Sequence, residues 1–132
     1  MKLLAYEVDK RSFLGVLNED ETWVYPVSAA GMEYRSMKDL IREAGPSEME
    51  MLDYISKKMP GDVTGAASVE EIKVVSPIAE PDQDIICLGI NYMDHAKESA
   101  RFKKEEFSKP EKAIYFSKRV NRTTDPDGII PA

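Results

Sequence analysis

Apolar positions near the start of the chain fall into short runs broken by polar turns. Leu3–Val8 and Phe13–Leu17 flank the polar Asp9-Lys10-Arg11-Ser12, a pattern that predicts a β-hairpin. Asn18–Glu21 is a second turn, and Thr22–Val27 that follows is rich in β-branched and aromatic residues. Three antiparallel strands at this spacing predict a small meander or open barrel. The period then changes from two to nearly four. Ser36 is placed to cap a helix over Met37–Ala44 that Gly45 ends. Ser47, with Glu50 three residues later, has the spacing of a capping box. Behind it Met49, Leu52, Ile55 and Met59 recur at helical spacing until Pro60-Gly61. These methionines read as core rather than as a metal or cofactor box.

Gly61–Ser68 is small and flexible in composition, and Ile72–Val75 reads as a strand. A connector from Pro77 to Asp84 carries two prolines and three acids. The expected organisation is therefore an α+β module over residues 1–76, an antiparallel β module with two short helices, and a second segment over residues 77–132. That segment opens on Ile85-Ile86-Cys87-Leu88, a continuous apolar run of the kind that forms a strand buried on both faces. Gly89 breaks the run, a helix is expected over about 94–102, and Lys112–Ser117 reads as another strand. Asp125-Pro126-Asp127-Gly128 fits a type I turn, and Ile129-Ile130-Pro131 would begin one more strand. An apolar pair with nothing after it to pair against reads as a truncation.

Composition narrows the partners. The 132 residues are 42% hydrophobic and 32% charged, enough for a packed core and too evenly mixed for disorder. Eighteen basic against 24 acidic residues give a net charge of −6, which disfavours nucleic acid as a partner. The densest basic run, Lys103-Lys104, is followed at once by Glu105-Glu106 and reads as a solvated face. No apolar run approaches the roughly 20 residues that cross a bilayer, so no membrane partner is expected. The initial Leu3-Leu4-Ala5-Tyr6 is broken at Glu7, short of a signal-peptide core. One cysteine, Cys87, cannot close an internal disulfide, which fits a reducing compartment and a cytoplasmic protein. Inside an apolar strand it reads as a packing residue rather than a nucleophile. Trp23 and Tyr25 alternate with Val24 and read as hairpin packing.

Candidate chemistry is concentrated after Gly89. His95 is the sole histidine, and Glu98 lies one helical turn on, at the spacing that brings two side chains together. A carboxylate there can accept a proton from the imidazole, raise its basicity and fix its tautomer. Such a pair can take a proton from water or from a carbon beside a carbonyl. The bland reading is a solvated surface pair. Its context is an apolar strand that ends in glycine and delivers Asn91, Tyr92, Asp94 and His95 within six residues, a common place for an active site.

Gly89-Ile90-Asn91-Tyr92-Met93-Asp94-His95-Ala96-Lys97-Glu98 resembles the Gly-x-Asn-Tyr-x-x-His-x-x-Glu signature of the fumarylacetoacetate hydrolase family. Ala113–Lys118 resembles that family's Pro-x-Phe-x-Lys strand, and Asp127–Pro131 the entry to its next strand. The likeness is dense from Ile85 to Pro131 and loose over the first module. It implies a mixed β catalytic domain of which this chain holds only the beginning. It also implies a divalent cation, magnesium or manganese, held by carboxylates and acting on a 1,3-dicarbonyl or 2-oxo acid as a Lewis acid at the developing enolate. By the same resemblance His95 and Glu98 are the catalytic pair, on a helix able to close as a lid. Asn91, Tyr92 and Lys118 are its implied substrate-binding residues. The small-molecule substrate would undergo C–C hydrolysis, as of fumarylacetoacetate or an acylpyruvate in aromatic catabolism. Isomerisation of the 2-hydroxyhepta-2,4-diene-1,7-dioate or 5-carboxymethyl-2-hydroxymuconate type, or decarboxylation of a 2-oxo acid, are the alternatives within the family. A homodimer is implied for the complete protein.

One departure is as informative as the match. The family's metal ligands, a Glu-x-Glu pair and a later aspartate, are expected beyond Ala132, so the chain as given is expected to be inactive. The Glu48-Met49-Glu50 pair lies upstream in a helix, where i and i+2 diverge, and is no substitute. Asp94, Asp125 and Asp127 are too scattered to serve. The rival reading from another class is a non-catalytic interaction module, with Asn91 and Asp94 as turn and cap residues and His95 in solvent.

Overall fold

A computed structural model describes residues 1–89 and 112–130. The fold is α+β, as the periodicity predicts, and divides into two compact units: Met1–Ala79 with Thr123–Ala132, and Glu80–Arg122. The expected second segment was drawn over residues 77–132, whereas residues 123–132 group with the first unit.

The first unit is a five-stranded antiparallel sheet. Strands β1 (Leu3–Val8), β2 (Arg11–Leu17) and β3 (Trp23–Pro26) form the expected meander. Asp9 and Lys10 close the first hairpin at φ values of 49° and 64°. Two successive positive φ angles belong to the type I′ turn, whose twist suits paired strands, and they pair Val8 with Arg11. In the second turn Asn18 Oδ1 accepts from the backbone N–H of Thr22 and of Trp23, at 3.0 and 2.9 Å. Two short strands extend the sheet, β4 (Ala67–Ser68) beside β3 and β5 (Lys73–Val75) beside β1. Part of the Gly61–Ser68 stretch, expected to be flexible, is therefore a paired edge strand.

Two helices cover one face. Ser36 caps α1 (Met37–Glu43), its hydroxyl accepting from Asp39 N at 3.1 Å. α2 (Pro46–Ser56) starts earlier than the Ser47–Glu50 spacing suggests. Gly45 is its N-cap, Pro46 occupies the first turn, and Glu48 Oε2 accepts from Gly45 N at 3.1 Å. Pro46 decides this register, because a proline at the first helical position loses no hydrogen bond. Gly45 thus opens α2 rather than merely ending α1. The helix also stops sooner, at Ser56, so Met59 is 71% exposed and lies outside the expected core stripe. Met49 is half-buried against the core, and Leu52 and Ile55 are buried.

Both faces of the sheet are packed. Val16 and Tyr25 meet Val27, Met37, Leu40, Leu52, Ile55 and Val63 on the helix side. Leu4, Tyr6 and Val24 form a smaller cluster on the other, with Val8, Leu17, Ala67, Ile72 and Val74 around it. Tyr25 and Trp23 share the helix face, so their packing is sheet on helix rather than hairpin alone. The Tyr25 hydroxyl donates to the Lys58 carbonyl at 2.7 Å, tying the end of α2 to the middle of the sheet. Burial pushes the Tyr25 phenol up from its ordinary value.

Residues 123–128 belong to this unit through a network of hydrogen bonds. Thr123 N donates to the Ala79 carbonyl and its hydroxyl to the Ile78 carbonyl, both at 2.8 Å. The Ser76 and Thr123 hydroxyls are hydrogen-bonded to each other. Asp125 Oδ1 accepts from Ser76 N at 2.9 Å, while Oδ2 lies 3.3 Å from Lys73 Nζ. Gly128 N donates to the Asp125 carbonyl at 3.0 Å, closing the expected four-residue turn. Asp127, its third residue, has φ 60°, which a type I turn does not allow and a type II turn requires. Ile129 and Ile130 form no strand and are 90% and 80% exposed.

The second unit contains one antiparallel hairpin, β6 (Ile85–Gly89) with β7 (Ile114–Lys118). The expectation of a strand buried on both faces is not met: Ile86 is 75% exposed, and Ile85 and Leu88 are also exposed. A continuous apolar run records what a strand can bury, whereas actual burial needs layers on both sides. β7 is the partner strand that β6 has among the described residues.

Candidate functional site

The motif begins at the last residue of β6. Gly89 is the last residue of that strand and pairs with Ile114, the first of β7. A Cβ at Gly89 would sit 3.5 Å from Ile114 Cβ, an ordinary contact. Gly89 is therefore not required by close packing across the hairpin. Asn91, Tyr92, His95 and Glu98 lie outside the described residues, as does the helix expected over 94–102.

Lys118 is described. It is the last residue of β7, exposed, and pairs with Ile85 at the start of β6. Four residues of strand separate it from Ile114, roughly 14 Å at 3.4 Å per residue. The residue paired with Gly89 and the expected substrate-binding lysine thus stand at opposite ends of one hairpin. Lys118, Phe116 and Ile114 share a face, while Tyr115 and Ser117 take the other. Cys87 pairs with Phe116 at the centre of the hairpin and is half-buried.

Several carboxylates of the first unit are engaged in local structure. Glu48 accepts from the Ser47 hydroxyl at 2.8 Å as well as from Gly45 N. These bonds, that from Ser47 foremost, hold its carboxyl below the ordinary value. The carboxylate explained by capping is thus Glu48, not Glu50, and the Glu48-Met49-Glu50 pair is a helix-start feature. In a hollow lined in part by Lys2, Glu19, Glu21, Asp53 and Lys57, Lys2 pairs with Glu21 at 2.5 Å and Lys57 with Asp53 at 2.6 Å. Among the described residues no three His, Cys, Asp or Glu side chains converge in a way that could hold a metal ion. Nor, among them, is any helix long and apolar enough to cross a membrane. In the sequence Asp125 reads as a turn residue and as one of three acids too scattered to hold a metal. Its bonds to Ser76 and Lys73 join positions about fifty residues apart, and no local pattern announces them.

No family model matches the chain. Over 140 aligned residues it is 30% identical to oxaloacetate tautomerase YisK of Bacillus subtilis (strain 168). The alignment takes in 98% of this chain and 45% of that enzyme, so the chain spans a little less than half the length of the curated relative it matches. The aligned region takes in nearly the whole chain, including the five-stranded module where the motif resemblance was loose.

Proposed function

We propose that this chain is the front part of a fumarylacetoacetate hydrolase family enzyme that interconverts the keto and enol forms of a small 2-oxo acid. The observation that carries this reading is the 30% identity to an oxaloacetate tautomerase over an alignment that takes in 98% of the chain. It favours tautomerisation, or the related decarboxylation, over the C–C hydrolysis that the motif alone also allows.

In this reading His95 is the general base. Going from keto to enol, it takes a proton from the carbon between the carbonyl and the carboxylate, and the carbonyl oxygen ends as a hydroxyl. The reverse direction returns the proton to carbon. Nothing is consumed, so one residue that cycles its proton suffices, and Glu98 holds the imidazole in the tautomer that can accept it. Asn91 and Tyr92 supply polar contacts to the substrate, and Lys118 is a further candidate for its carboxylate. A magnesium or manganese ion, when bound, would stabilise charge on the enolate oxygen. Among the described residues no side chains converge to hold it, and in this reading carboxylates of the complete enzyme beyond residue 132, as the family resemblance implies, would supply its ligands. A homodimer of the complete protein belongs to the same reading.

The test follows the decay of enol-oxaloacetate by ultraviolet absorbance, using the complete protein with magnesium or manganese added. His95→Gln is expected to lower the rate by roughly a hundredfold or more, the lower range for a lost general base. The 132-residue chain alone is expected to show no rate above buffer. A His95→Gln variant as fast as the wild type, or a chain fully active alone, overturns the assignment of roles.

A further inference from the structure

The chain leaves the five-stranded unit at Ala79 and re-enters it at Thr123. The two crossings meet: Thr123 N donates to the Ala79 carbonyl, and the Thr123 hydroxyl to the Ile78 carbonyl. Beside them the Ser76 hydroxyl meets that of Thr123, and Ser76 N donates to Asp125. Lys73 extends the cluster, reaching Asp125 at 3.3 Å and Glu7 on β1 at 3.5 Å. The 43 residues from Glu80 to Arg122 are thus an excursion whose two ends are held by one polar cluster. That cluster is anchored through Lys73 to the edge strand β5, which pairs with β1.

From this we infer that Ser76, Thr123 and Asp125 form a clasp at the base of residues 80–122, and that its opening releases both crossings together while the five-stranded sheet stays folded. The chemistry suits such a device. Its bonds are made by hydroxyls, one carboxylate and backbone groups at half-buried positions, where water can replace each partner. The fully buried residues lie under β1–β3 and the helices, and of the crossing residues only Ile78 packs against them, half-buried, so opening uncovers little apolar surface. Local opening of this kind draws on few buried apolar contacts. The inference does not depend on the tautomerase reading.

Amide hydrogen exchange on the intact protein, followed by mass spectrometry, tests it with Thr123→Val and Asp125→Ala singly and together. Thr123→Val removes the hydroxyl with little change of shape, and Asp125→Ala removes the bond to Ser76 N. In each single variant, peptides covering 76–84 and 119–128 are expected to exchange faster together, by roughly tenfold, the scale of one lost hydrogen bond. Peptides covering 13–27 should be unchanged. Faster exchange at only one crossing would overturn the clasp, as would no change at either. Faster exchange spread through 13–27 would also overturn it, since the cluster would then be part of the global fold. Loss of tautomerase activity with unaltered exchange would speak against the clasp without touching the proposed function. The reverse outcome would leave the clasp standing.

Discussion

Gly15 sits on β2 between Leu4 of β1 and Pro26 of β3, in the most crowded part of the sheet. A methyl group added there would lie 2.4 Å from Val24 Cγ2, 2.8 Å from Tyr6 Cε1 and 3.0 Å from the Tyr25 carbonyl oxygen. Carbon atoms pack comfortably at about 3.5–4.0 Å, so the first overlap exceeds an ångström. None of the three neighbours can yield easily. Val24 is fully buried and β-branched, Tyr6 is 2% exposed with its ring stacked on Phe13, and the third atom is backbone. Overpacking of this kind costs about 1–3 kcal/mol. Gly15 has no positive φ, so alanine also regains about 0.4–1 kcal/mol by restricting the unfolded chain. Gly15→Ala is therefore expected to destabilise the first unit by about 1–2 kcal/mol. For a unit of this size that lowers the melting temperature by roughly 4–16 °C. Thermal and urea unfolding monitored by circular dichroism would measure it, with an unchanged urea slope. Gly61→Ala is the control, since nothing lies within 4 Å of its added carbon and its φ is not positive. It should leave stability equal or slightly raised. A Gly15→Ala protein as stable as the wild type would refute the packing argument.

Tyr25→Phe removes the hydroxyl that satisfies the Lys58 carbonyl and should cost about 1–2 kcal/mol, read as a lower urea midpoint; an unchanged midpoint would show that water takes over the bond. On the acid side, Asp20, Glu48 and Asp53 are all held below their ordinary values of 3.8, 4.5 and 3.8, chiefly by hydrogen bonds from Thr22, Ser47 and Lys57. A depressed carboxyl favours the fold above its unfolded value, and that contribution is lost as pH falls through the folded one. Urea midpoints should therefore hold steady from neutral pH to about 5 and decline below about 4.5. The decline should be small, because all three groups are exposed to solvent. A midpoint that rises on acidification would contradict the sign.

Much of the first unit could be read from the chain alone, because its determinants are local. The apolar runs Leu3–Val8 and Phe13–Leu17 with the polar turn between them, the helix cap at Ser36 and the terminal turn at Asp125–Gly128 each rest on neighbours within a few residues. Local rules failed where two solutions shared one spacing. Ser47–Glu50 and Gly45–Glu48 both satisfy the three-residue offset of a capping box, and Pro46 favours the second. The early end of α2 turned Met59 from an expected core residue into a surface one. The segment Gly89–Glu98 was legible as chemistry and as family likeness, because its order of side chains is itself the signal.

What the sequence determined by itself is therefore the three-stranded meander, β5 and the two helices of the first unit, and the residue types able to move a proton, while β4 went unread and the strand expected at Ile129 did not form. Tertiary structure decided which elements meet. It placed β4 and β5 at opposite edges of the sheet and seated the Tyr25 hydroxyl on Lys58. It also closed Ser76, Thr123 and Asp125 into one cluster across about fifty residues. It left Ile85, Ile86 and Leu88 exposed in a two-stranded hairpin despite their apolar run. The physical reason is common to all four. Pairing, hydrogen bonding and burial at long separation depend on surfaces brought together by the whole fold, and a window of neighbouring residues carries no record of them.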